Sequence, residues 1–271
     1  GSDIDGEAAY DRSANSISLS SDGTILAIGA YRNGGNGYNS GHVRVYEYSG
    51  GSWSQLGSDI DGEAAGDYSG RSVSLSSDGT ILATGTGYND GNGSNSGHVR
   101  VYEYSGGSWS QLGSDIDGEA AENYSGNTIS LSSDGTILAI AAEENADNGT
   151  LSGHVRVYEY SAGSWSQLGS DIDGEAAGDQ SGGPVSLSSD GTKLAIGAKS
   201  NDGNGSNSGH VRVYQYSGGS WSQLGSDIDG EAAGDQSGGS VSLSSDGTKL
   251  AIGAKNNDGA NGTTSGHVRV Y

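Results

Sequence analysis

The sequence contains no cysteine, no methionine and no phenylalanine, and it has one proline among 271 residues. Without cysteine the chain can form no disulfide bond, and it offers no thiol for nucleophilic catalysis or metal binding. No stretch approaches the roughly 18 consecutive apolar residues that a membrane-spanning helix requires. Because the sequence does not begin with methionine, we expect a processed or truncated chain from which any signal peptide has been removed.

Positive charge is also scarce. The sequence has 12 Lys and Arg against 34 Asp and Glu, a formal net charge of −22 at pH 7. Electrostatic repulsion therefore argues against nucleic acid as a partner and against binding to or insertion into an anionic membrane. The charge favours a divalent cation, a cationic partner or a high-salt medium. Glycine is abundant instead, with 51 residues.

A unit of 56 residues is repeated along the whole chain. The tryptophans are spaced by this period, at Trp53, Trp109, Trp165 and Trp221. The histidines keep the same spacing until the last, which follows one residue late, at His42, His98, His154, His210 and His267. The repeats are 1–56, 57–112, 113–168, 169–224 and 225–271. Since no linker separates them, we treat residues 1–271 as one domain.

The second repeat, 57–112, shows the strand pattern most clearly. Val and Leu alternate with Ser at 72–76, and an Asp-Gly turn follows. An apolar strand at 80–84, a Gly/Asn/Ser loop, a Val/Tyr-rich strand at 98–104 and a strand at 108–112 complete the unit. Four short antiparallel strands per repeat of this length predict an all-β fold, a β-propeller with five blades.

The last repeat ends at Tyr271, before its fourth strand, so its blade is incomplete. The N-terminal GSDI can fill that position and close a five-bladed ring. Alternatively, the chain is part of a longer array of six or seven blades. The open edge can also accept a strand from another molecule, which would give dimers or filaments.

The segment SGRSVSLSSDGTILATGTGYNDGNGSNSGHVRVYEYSGGSWSQL, residues 69–112, resembles an FG-GAP repeat, the blade unit of integrin-α-type propellers and of many secreted microbial surface proteins. The Gly-Ala pairs at 29–30, 197–198 and 253–254 stand where the family has Gly-Ala-Pro after strand two. The resemblance covers the chain once per repeat. It implies a propeller fold and an extracellular, adhesive setting.

The repeat departs from the family in three respects. The Phe-Gly position reads Ser-Gly, the Gly-Ala-Pro motif has lost its proline, and the strand 1–2 connection is only SSDG, as at 20–23. The family's Asp-rich calcium loop between strands one and two therefore has no counterpart here.

The acidic connectors between blades are the predicted metal sites. Asp59, Asp61 and Glu63 alternate along an extended segment, so their side chains can point the same way, and Asp67 can close the loop. Carboxylates are the ligands that Ca²⁺ prefers, so Ca²⁺ is the one cofactor that this pattern suggests, and otherwise none is expected. The alternative interpretation is that the aspartates cap turns. The candidate ligands are Asp3, Asp5, Glu7, Asp59, Asp61, Glu63, Asp67, Asp115, Asp117, Glu119, Asp171, Asp173, Glu175, Asp179, Asp227, Asp229, Glu231 and Asp235.

The five histidines and five arginines of strand three are interpreted as structural. An isolated histidine rarely specifies a metal site, and we expect each one to be satisfied by neighbouring backbone or carboxylate groups. We expect the arginines to bridge blades by pairing with acids or by stacking on tyrosine. They are Arg44, Arg100, Arg156, Arg212 and Arg269.

Five equal repeats offer no unique acid–base pair, so the sequence predicts that the chain is not an enzyme. The predicted function is a non-enzymatic, extracellular or cell-surface structural and adhesive module with an acidic, calcium-binding face. The alternatives are a lectin-like propeller with one carbohydrate or protein site per blade, and a subunit of a fibre or oligomer assembled through its open edge. The expected partners are surface proteins or glycans, together with self-association through that edge.

Overall fold

The computed structural model describes residues 1–259 and 262–271, in which the regular structure is entirely β. The extra residue of the fifth repeat falls in DGANGTTSG, of which Ala260 and Asn261 lie outside the described residues. Each repeat forms one antiparallel sheet, and the five sheets are the five blades of a β-propeller. The predicted fold class is confirmed. Among the described residues no helix is long and apolar enough to cross a membrane.

The chain has 23 strands in its described part. In the first repeat they are β1 Ser13–Leu19, β2 Ile25–Ala30, β3 His42–Ser49 and β4 Ser52–Gln55. In the second they are β5 Ile60–Asp61, β6 Ser72–Leu75, β7 Ile81–Thr86, β8 His98–Ser105 and β9 Ser108–Gln111. In the third they are β10 Ile116–Asp117, β11 Thr128–Leu131, β12 Ile137–Ala142, β13 His154–Ser161 and β14 Ser164–Gln167. In the fourth they are β15 Ile172–Asp173, β16 Val185–Leu187, β17 Lys193–Ala198, β18 His210–Ser217 and β19 Ser220–Gln223. In the fifth they are β20 Ile228–Asp229, β21 Ser237–Leu243, β22 Leu250–Ala254 and β23 His267–Val270.

Each of the first four blades contains a short strand at a position expected to belong to the connector. β4 pairs with the second half of β3, and β5 pairs with the first half, where His42 faces Asp61 and Val43 faces Ile60. The connector to the next repeat is thus anchored on the blade that it leaves. A strand of two residues has no alternation that a sequence pattern can detect.

The Asp-Gly turns form as predicted, and side-chain hydrogen bonds fix them. In the first repeat, Asp22 Oδ1 accepts hydrogen bonds from Thr24 N at 2.9 Å and Ser20 Oγ at 2.7 Å. Gly23 adopts φ 74°, a left-handed conformation that glycine tolerates best. The same contacts recur at Asp78 in the second repeat.

The chain divides into two compact units, residues 1–136 with 160–165, and residues 137–159 with 166–271. In the first unit, consecutive blades meet in a contact that we call the inter-blade seam. One blade supplies its forward face, which in the first repeat consists of Ile25, Ala27, Val43 and Val45. The following blade supplies its backward face, which in the second repeat consists of Val73, Leu75, Leu82 and Tyr102.

The second unit contains the same kind of seam. Ala195 and Val211 of the fourth repeat pack with Leu250 and Ile252 of the fifth. Hydrogen bonds from tryptophan add to the seams within each unit. Trp109 Nε1 donates to Leu56 O at 2.9 Å in the first unit, and Trp221 Nε1 donates to Leu168 O at 2.8 Å in the second. Each of these two tryptophans therefore ties its blade to the preceding connector.

Candidate functional site

The first residue of strand three is a buried histidine that faces two carboxylates. In the first repeat, His42 Nδ1 lies 3.7 Å from Glu7 Oε2 and 3.7 Å from Asp59 Oδ2. His98 Nδ1 lies 3.7 Å from Glu63 and 3.9 Å from Asp115. His210 Nδ1 lies 3.6 Å from Glu175 and 3.9 Å from Asp227. In each of these three groups, which we call the Glu–His–Asp clusters, the ligand atoms lie within 4.8 Å of one another.

One connector supplies two different clusters. Asp59 stays beside His42 because the next two residues pair with β3, whereas Glu63 belongs with His98 of the following blade. The chain turns between them at Gly62, where a Cβ would lie 2.0 Å from Ser40 O, so no other residue fits. Asp59 and Glu63 therefore do not join in one loop, contrary to the expectation that their side chains point the same way.

The distances within the clusters fit co-ligation of a metal ion. They are too long for hydrogen bonds, which rarely exceed about 3.2 Å between N and O. Two ligands held about 2.0–2.2 Å from one ion at tetrahedral angles lie roughly 3.3–3.6 Å apart, and at Ca²⁺ distances of about 2.4 Å roughly 3.4–3.9 Å. His210 Nδ1 is buried without a hydrogen-bond partner, a state that a bound cation would relieve. The acidic and histidine groups can hold a metal ion.

Burial keeps the imidazoles in the state that binds a cation. Burial, with the charge of Arg100, lowers the pKa of His98 from 6.5 to about 4. Burial likewise lowers the pKa of His210. Both rings are therefore neutral at pH 7, and each has a nitrogen lone pair available. Burial raises the pKa of Glu63, although Arg100 opposes this.

The arginines of strand three lie beside the clusters. Arg44 Nη1 is 3.6 Å from Glu7, Arg100 Nη1 is 3.6 Å from Glu63, and Arg212 pairs with Glu175. Each of these arginines thus pairs with the connector of its own repeat. Arg44 also lies 5.5 Å from the centroid of the Tyr46 ring, and Arg100 lies 5.8 Å from that of Tyr102.

Other candidate ligands have structural positions. Asp67 is buried, and its Oδ2 accepts hydrogen bonds from Ala64 N at 2.9 Å and Asn89 Nδ2 at 3.4 Å. Asp179 and Asp235 make the corresponding bonds. These three carboxylates cap turns, as the alternative interpretation proposed.

The remaining candidates differ in exposure. Glu231 lies 3.5 Å from His267 in the fifth repeat. Asp171 is half-buried and accepts a hydrogen bond from Gln167. The exposed candidates outside the three clusters are Asp3, Asp5, Asp61, Asp117, Glu119, Asp173 and Asp229.

A groove adjoins the cluster of the first repeat. It has a volume of about 240 Å³ and is lined by Ser58, Asp59, Asp61, Tyr102 and Trp109, among others. Asp59 Oδ1 is held by Gln55 Nε2 at 2.6 Å, which leaves Oδ2 toward His42. The groove therefore combines aromatic surface with a carboxylate that belongs to a cluster.

Tyrosines break the symmetry between repeats in the first unit. Their ring centroids follow one another at 6.0, 5.0 and 5.4 Å, in the order Tyr31, Tyr68, Tyr88 and Tyr124. Arg71 lies 5.9 Å from the ring of Tyr31 and 5.3 Å from that of Tyr88. The fourth repeat carries Gln180 and Lys199 at equivalent positions, so the repeats are not chemically equal.

The family of FG-GAP repeats matches residues 60–102, which run from β5 into β8. The second repeat of the chain is similar to an FG-GAP repeat. The match confirms the resemblance seen in the sequence, including its altered Phe-Gly and Gly-Ala-Pro motifs, and it falls on the second blade. No sequence among the curated proteins matches the chain.

Solved structures share the fold at low identity. The periplasmic gluconolactonase of Pseudomonas aeruginosa aligns with a TM-score of 0.59 and 20% identity over 88% of this chain and 64% of that one. A "putative 6-phosphogluconolactonase" from Bacteroides uniformis ATCC 8492 aligns with a TM-score of 0.60 and 15% identity, over 94% of this chain and 71% of that one. Hydrazine synthase of Kuenenia stuttgartiensis aligns with a TM-score of 0.57 and 16% identity, over 94% of this chain and 70% of that one. The chain thus spans roughly two thirds of the length of these proteins.

These comparisons contradict two predictions. The expected non-enzymatic adhesive module and the expected absence of catalysis are wrong, because two proteins with this fold are named as lactonases. The prediction rested on the absence of a unique acid–base pair among five equal repeats. The clusters instead draw residues from two connectors, so their composition could not be read from any single repeat.

Proposed function

We propose that this propeller is a hydrolase that opens the ring of a neutral sugar lactone at its Glu–His–Asp clusters. The buried His210 Nδ1, unpaired and aimed at Glu175 and Asp227, carries the proposal that these clusters bind a divalent ion. The lactone substrate class is supported by the names of two proteins with this fold.

The ligand set favours a particular class of ion. One imidazole nitrogen with two carboxylates suits Zn²⁺ or a first-row transition ion, whereas Ca²⁺ prefers six to eight oxygens. The net charge of −22 concentrates cations near the chain. We therefore propose a transition ion rather than the Ca²⁺ expected from sequence.

The residues of the cluster would have different roles in the reaction. A divalent ion in the cluster would polarise the lactone carbonyl and lower the pKa of a water molecule. Glu63 would hold the ion through Oε2, the oxygen that faces His98, and its other oxygen, Oε1, would take a proton from the attacking water and return it to the ring oxygen that leaves. Arg100, 3.6 Å from Glu63, orients that carboxyl group. In the first repeat, Trp109 and Tyr102 offer aromatic surface for a sugar ring beside Asp59.

Charge selects the substrate. A neutral lactone approaches the acidic chain without repulsion, and the carboxylate formed by hydrolysis is repelled and leaves. A phosphorylated lactone would be repelled from the start. We therefore expect glucono-1,5-lactone to be hydrolysed with a higher kcat/KM than its 6-phosphate.

The test measures acid release from glucono-1,5-lactone in a pH-stat, with spontaneous hydrolysis subtracted. A variant with Glu7, Glu63 and Glu175 changed to Gln should lose activity severalfold, since general acid–base help is worth roughly 10²–10⁴-fold at a site. The control changes Glu47, Glu103 and Glu159 to Gln. This control variant removes the same number of negative charges, but at exposed positions of strand three, where the fourth repeat already has Gln215. Equal activity in the two variants would refute the proposal.

Metal binding is tested separately. Calorimetric titration of chelator-treated protein with Zn²⁺, Mn²⁺ and Ca²⁺ should show tighter binding of the transition ions. His210→Ala should remove one bound ion per chain. An unchanged number of bound ions in this variant would refute metal binding at this cluster.

The location proposed for the chain is outside the cytoplasm, in the periplasm or secreted. The support is the name of the Pseudomonas protein, which is periplasmic. Cell fractionation with an antibody against the native protein tests this, and a cytoplasmic signal alone would contradict it.

A further inference from the structure

Four tyrosines and two arginines of the first unit form a group that shares no residue with the Glu–His–Asp clusters. We call it the tyrosine row, and its members are Tyr31, Tyr68, Tyr88, Tyr124, Arg32 and Arg71. The tyrosines are half-buried, and neighbouring ring centroids lie 5.0–6.0 Å apart. Arg32 lies 5.5 Å and Arg71 lies 5.9 Å from the centroid of the Tyr31 ring. Arg71 also lies 5.3 Å from the centroid of the Tyr88 ring, so its guanidinium group bridges two rings of the row.

The tyrosine row occurs once in the chain, because the repeats differ at its positions. Tyr31 and Tyr88 both follow strand two of their repeat. The third and fourth repeats have other residues at these positions, namely Glu143, Glu144, Lys199 and Ser200. The counterparts of Arg71 in the other repeats are Asn15, Asn127, Gly183 and Gly239. A binding site on this row is therefore single, whereas the Glu–His–Asp cluster recurs from repeat to repeat.

The two arginines of the row carry charges that no acidic side chain neutralises. The chain has 34 Asp and Glu against 12 Lys and Arg, so a cation meets an acid readily. The arginines of strand three do so, as Arg100 does with Glu63. Within residues 1–259 and 262–271, however, neither Arg32 nor Arg71 forms an ion pair. Two unpaired guanidinium groups beside one another in so acidic a chain indicate a site for an anion.

Acidic residues next to the row along the chain take part in other contacts. Asp67 Oδ2 accepts a hydrogen bond from the backbone N of Ala64 at 2.9 Å, and Asp90 Oδ1 accepts one from the backbone N of Asn95 at 2.8 Å. Glu122 accepts one at 2.9 Å from the hydroxyl of the last tyrosine of the row. The two guanidinium groups are therefore available to a ligand from solution.

The position of Arg71 is fixed before any ligand binds. Ser16 Oγ donates a hydrogen bond to Gly70 O at 2.7 Å, and Asn15 Nδ2 donates one to Arg71 O at 3.4 Å, so the first blade holds the backbone here. The rings of Tyr31 and Tyr88 hold the guanidinium group. A guanidinium group that lies against rings keeps the N–H groups in its own plane free to bind both oxygens of a carboxylate. Little conformational freedom is then lost on binding.

We infer that the tyrosine row binds a cyclic sugar acid, whose carboxylate is held by Arg71. Arg32 adds a second positive charge at the Tyr31 ring. The hydroxyls of Tyr31 and Tyr88 make no hydrogen bond within the described residues and can bond to sugar hydroxyls, while the partly exposed rings pack against the C–H surface of a pyranose. The net charge of −22 opposes the ligand only weakly at short range, since physiological salt screens charges beyond about 8 Å. The site does not depend on the proposed hydrolase activity.

Calorimetric titration with glucuronate tests the inference on the full chain, stripped of metal and dialysed free of chelator. Metal is removed because a carboxylate can also bind an ion held in the clusters. Glucuronate should bind at one site per chain. Glucose, which lacks the carboxylate, and gluconate, which lacks the ring, should each bind more weakly, glucose by roughly tenfold or more. Absence of glucuronate binding, one site per repeat, or equal binding of glucose or gluconate would overturn the inference.

Substitution of Arg71 tests where the carboxylate binds. Arg71→Asn introduces the residue that the first and third repeats already have at this position, so the fold should tolerate it. The affinity for glucuronate should fall roughly tenfold to a hundredfold, because the charge-assisted bonds are lost. The control, Lys249→Gln, removes the same charge at an exposed position of the fifth repeat and should leave the affinity unchanged. Equal affinities in the two variants would show an effect of net charge alone and would overturn the site.

A second pair of variants tests the contribution of the rings. Tyr88→Ser introduces the residue of the fourth repeat and should weaken glucuronate binding severalfold, whereas Tyr10→Ser should not, because Tyr10 is 89% exposed. Unchanged affinity in Tyr88→Ser would overturn the assignment of a sugar ring to the row, and circular dichroism checks that both variants fold. The variant with three cluster glutamates changed to Gln should bind glucuronate as the parent chain does, whether or not lactone hydrolysis is lost. Loss of binding in that variant would place the ligand in the clusters instead.

Discussion

The repeat itself supplies a matched pair of leucines with which to measure the inter-blade seam. Leu19 and Leu75 occupy the same position in the first and second repeats. Leu75 is 8% exposed and packs in the seam, whereas Leu19 is 55% exposed. Substituting each by alanine removes the same atoms from the same strand position, so the difference between the two variants reports burial alone.

The expected magnitudes follow from the exposure. Leu→Ala removes about three methyl or methylene groups, worth about 0.8 kcal/mol each when fully buried. Leu75→Ala should therefore cost about 2.2 kcal/mol in transfer free energy, and a residual cavity raises this to about 3 kcal/mol. Leu19→Ala should cost about 1 kcal/mol, because its surroundings are open and no cavity forms. The two variants should differ by about 2 kcal/mol in the free energy of unfolding.

Urea denaturation followed by circular dichroism at low protein concentration measures both values. A shift in the thermal midpoint of roughly 5 °C between the variants is expected for a chain of this size. Equal destabilisation by Leu19→Ala and Leu75→Ala in dilute solution would refute the assignment of the seam.

Two further outcomes are expected. Trp109→Phe should destabilise the chain by about 1 kcal/mol, because it removes the hydrogen bond to Leu56 O. Trp53→Phe should leave stability unchanged, because Trp53 has no such bond within the described residues. Equal urea midpoints for the two variants would contradict this. Hydrogen bonds from Ser244 and from Thr248 lower the pKa of Asp246 to about 2. This stabilising contribution is present above the unfolded pKa of about 4 and is lost as the pH falls toward 2. The thermal midpoint of Asp246→Asn should therefore fall less steeply over that range than that of the parent chain, and parallel curves would count against it.

The Glu–His–Asp clusters show how a repeat protein forms a site that no single repeat contains. Asp59 closes the cluster of His42, and Glu63, four residues later, begins that of His98. Each internal connector therefore couples two blades.

Strand positions and turns could be predicted because their causes are local. Alternation in SVSLS, the Asp-Gly turn and the Val/Tyr-rich third strand are properties of adjacent residues, and the structure confirms them. The buried turn aspartates such as Asp67 were also accessible, since Asx-type capping spans a few residues. The contacts of His42 with Glu7 and Asp59 could not be predicted from the sequence. These residues are separated by many positions and meet only when β3 and the connector pair.

By itself the sequence determined the period, the number of blades, the antiparallel strands and the charge of the chain, because each depends on residue order and composition. The tertiary structure decided which carboxylates reach a histidine. It also decided that the imidazoles of His98 and His210 are buried and neutral, and that Ile17, Leu19, Val268 and Val270 are left exposed. Every repeat carries almost the same residues, so only the packing of one blade on another distinguishes a filled seam from an open one.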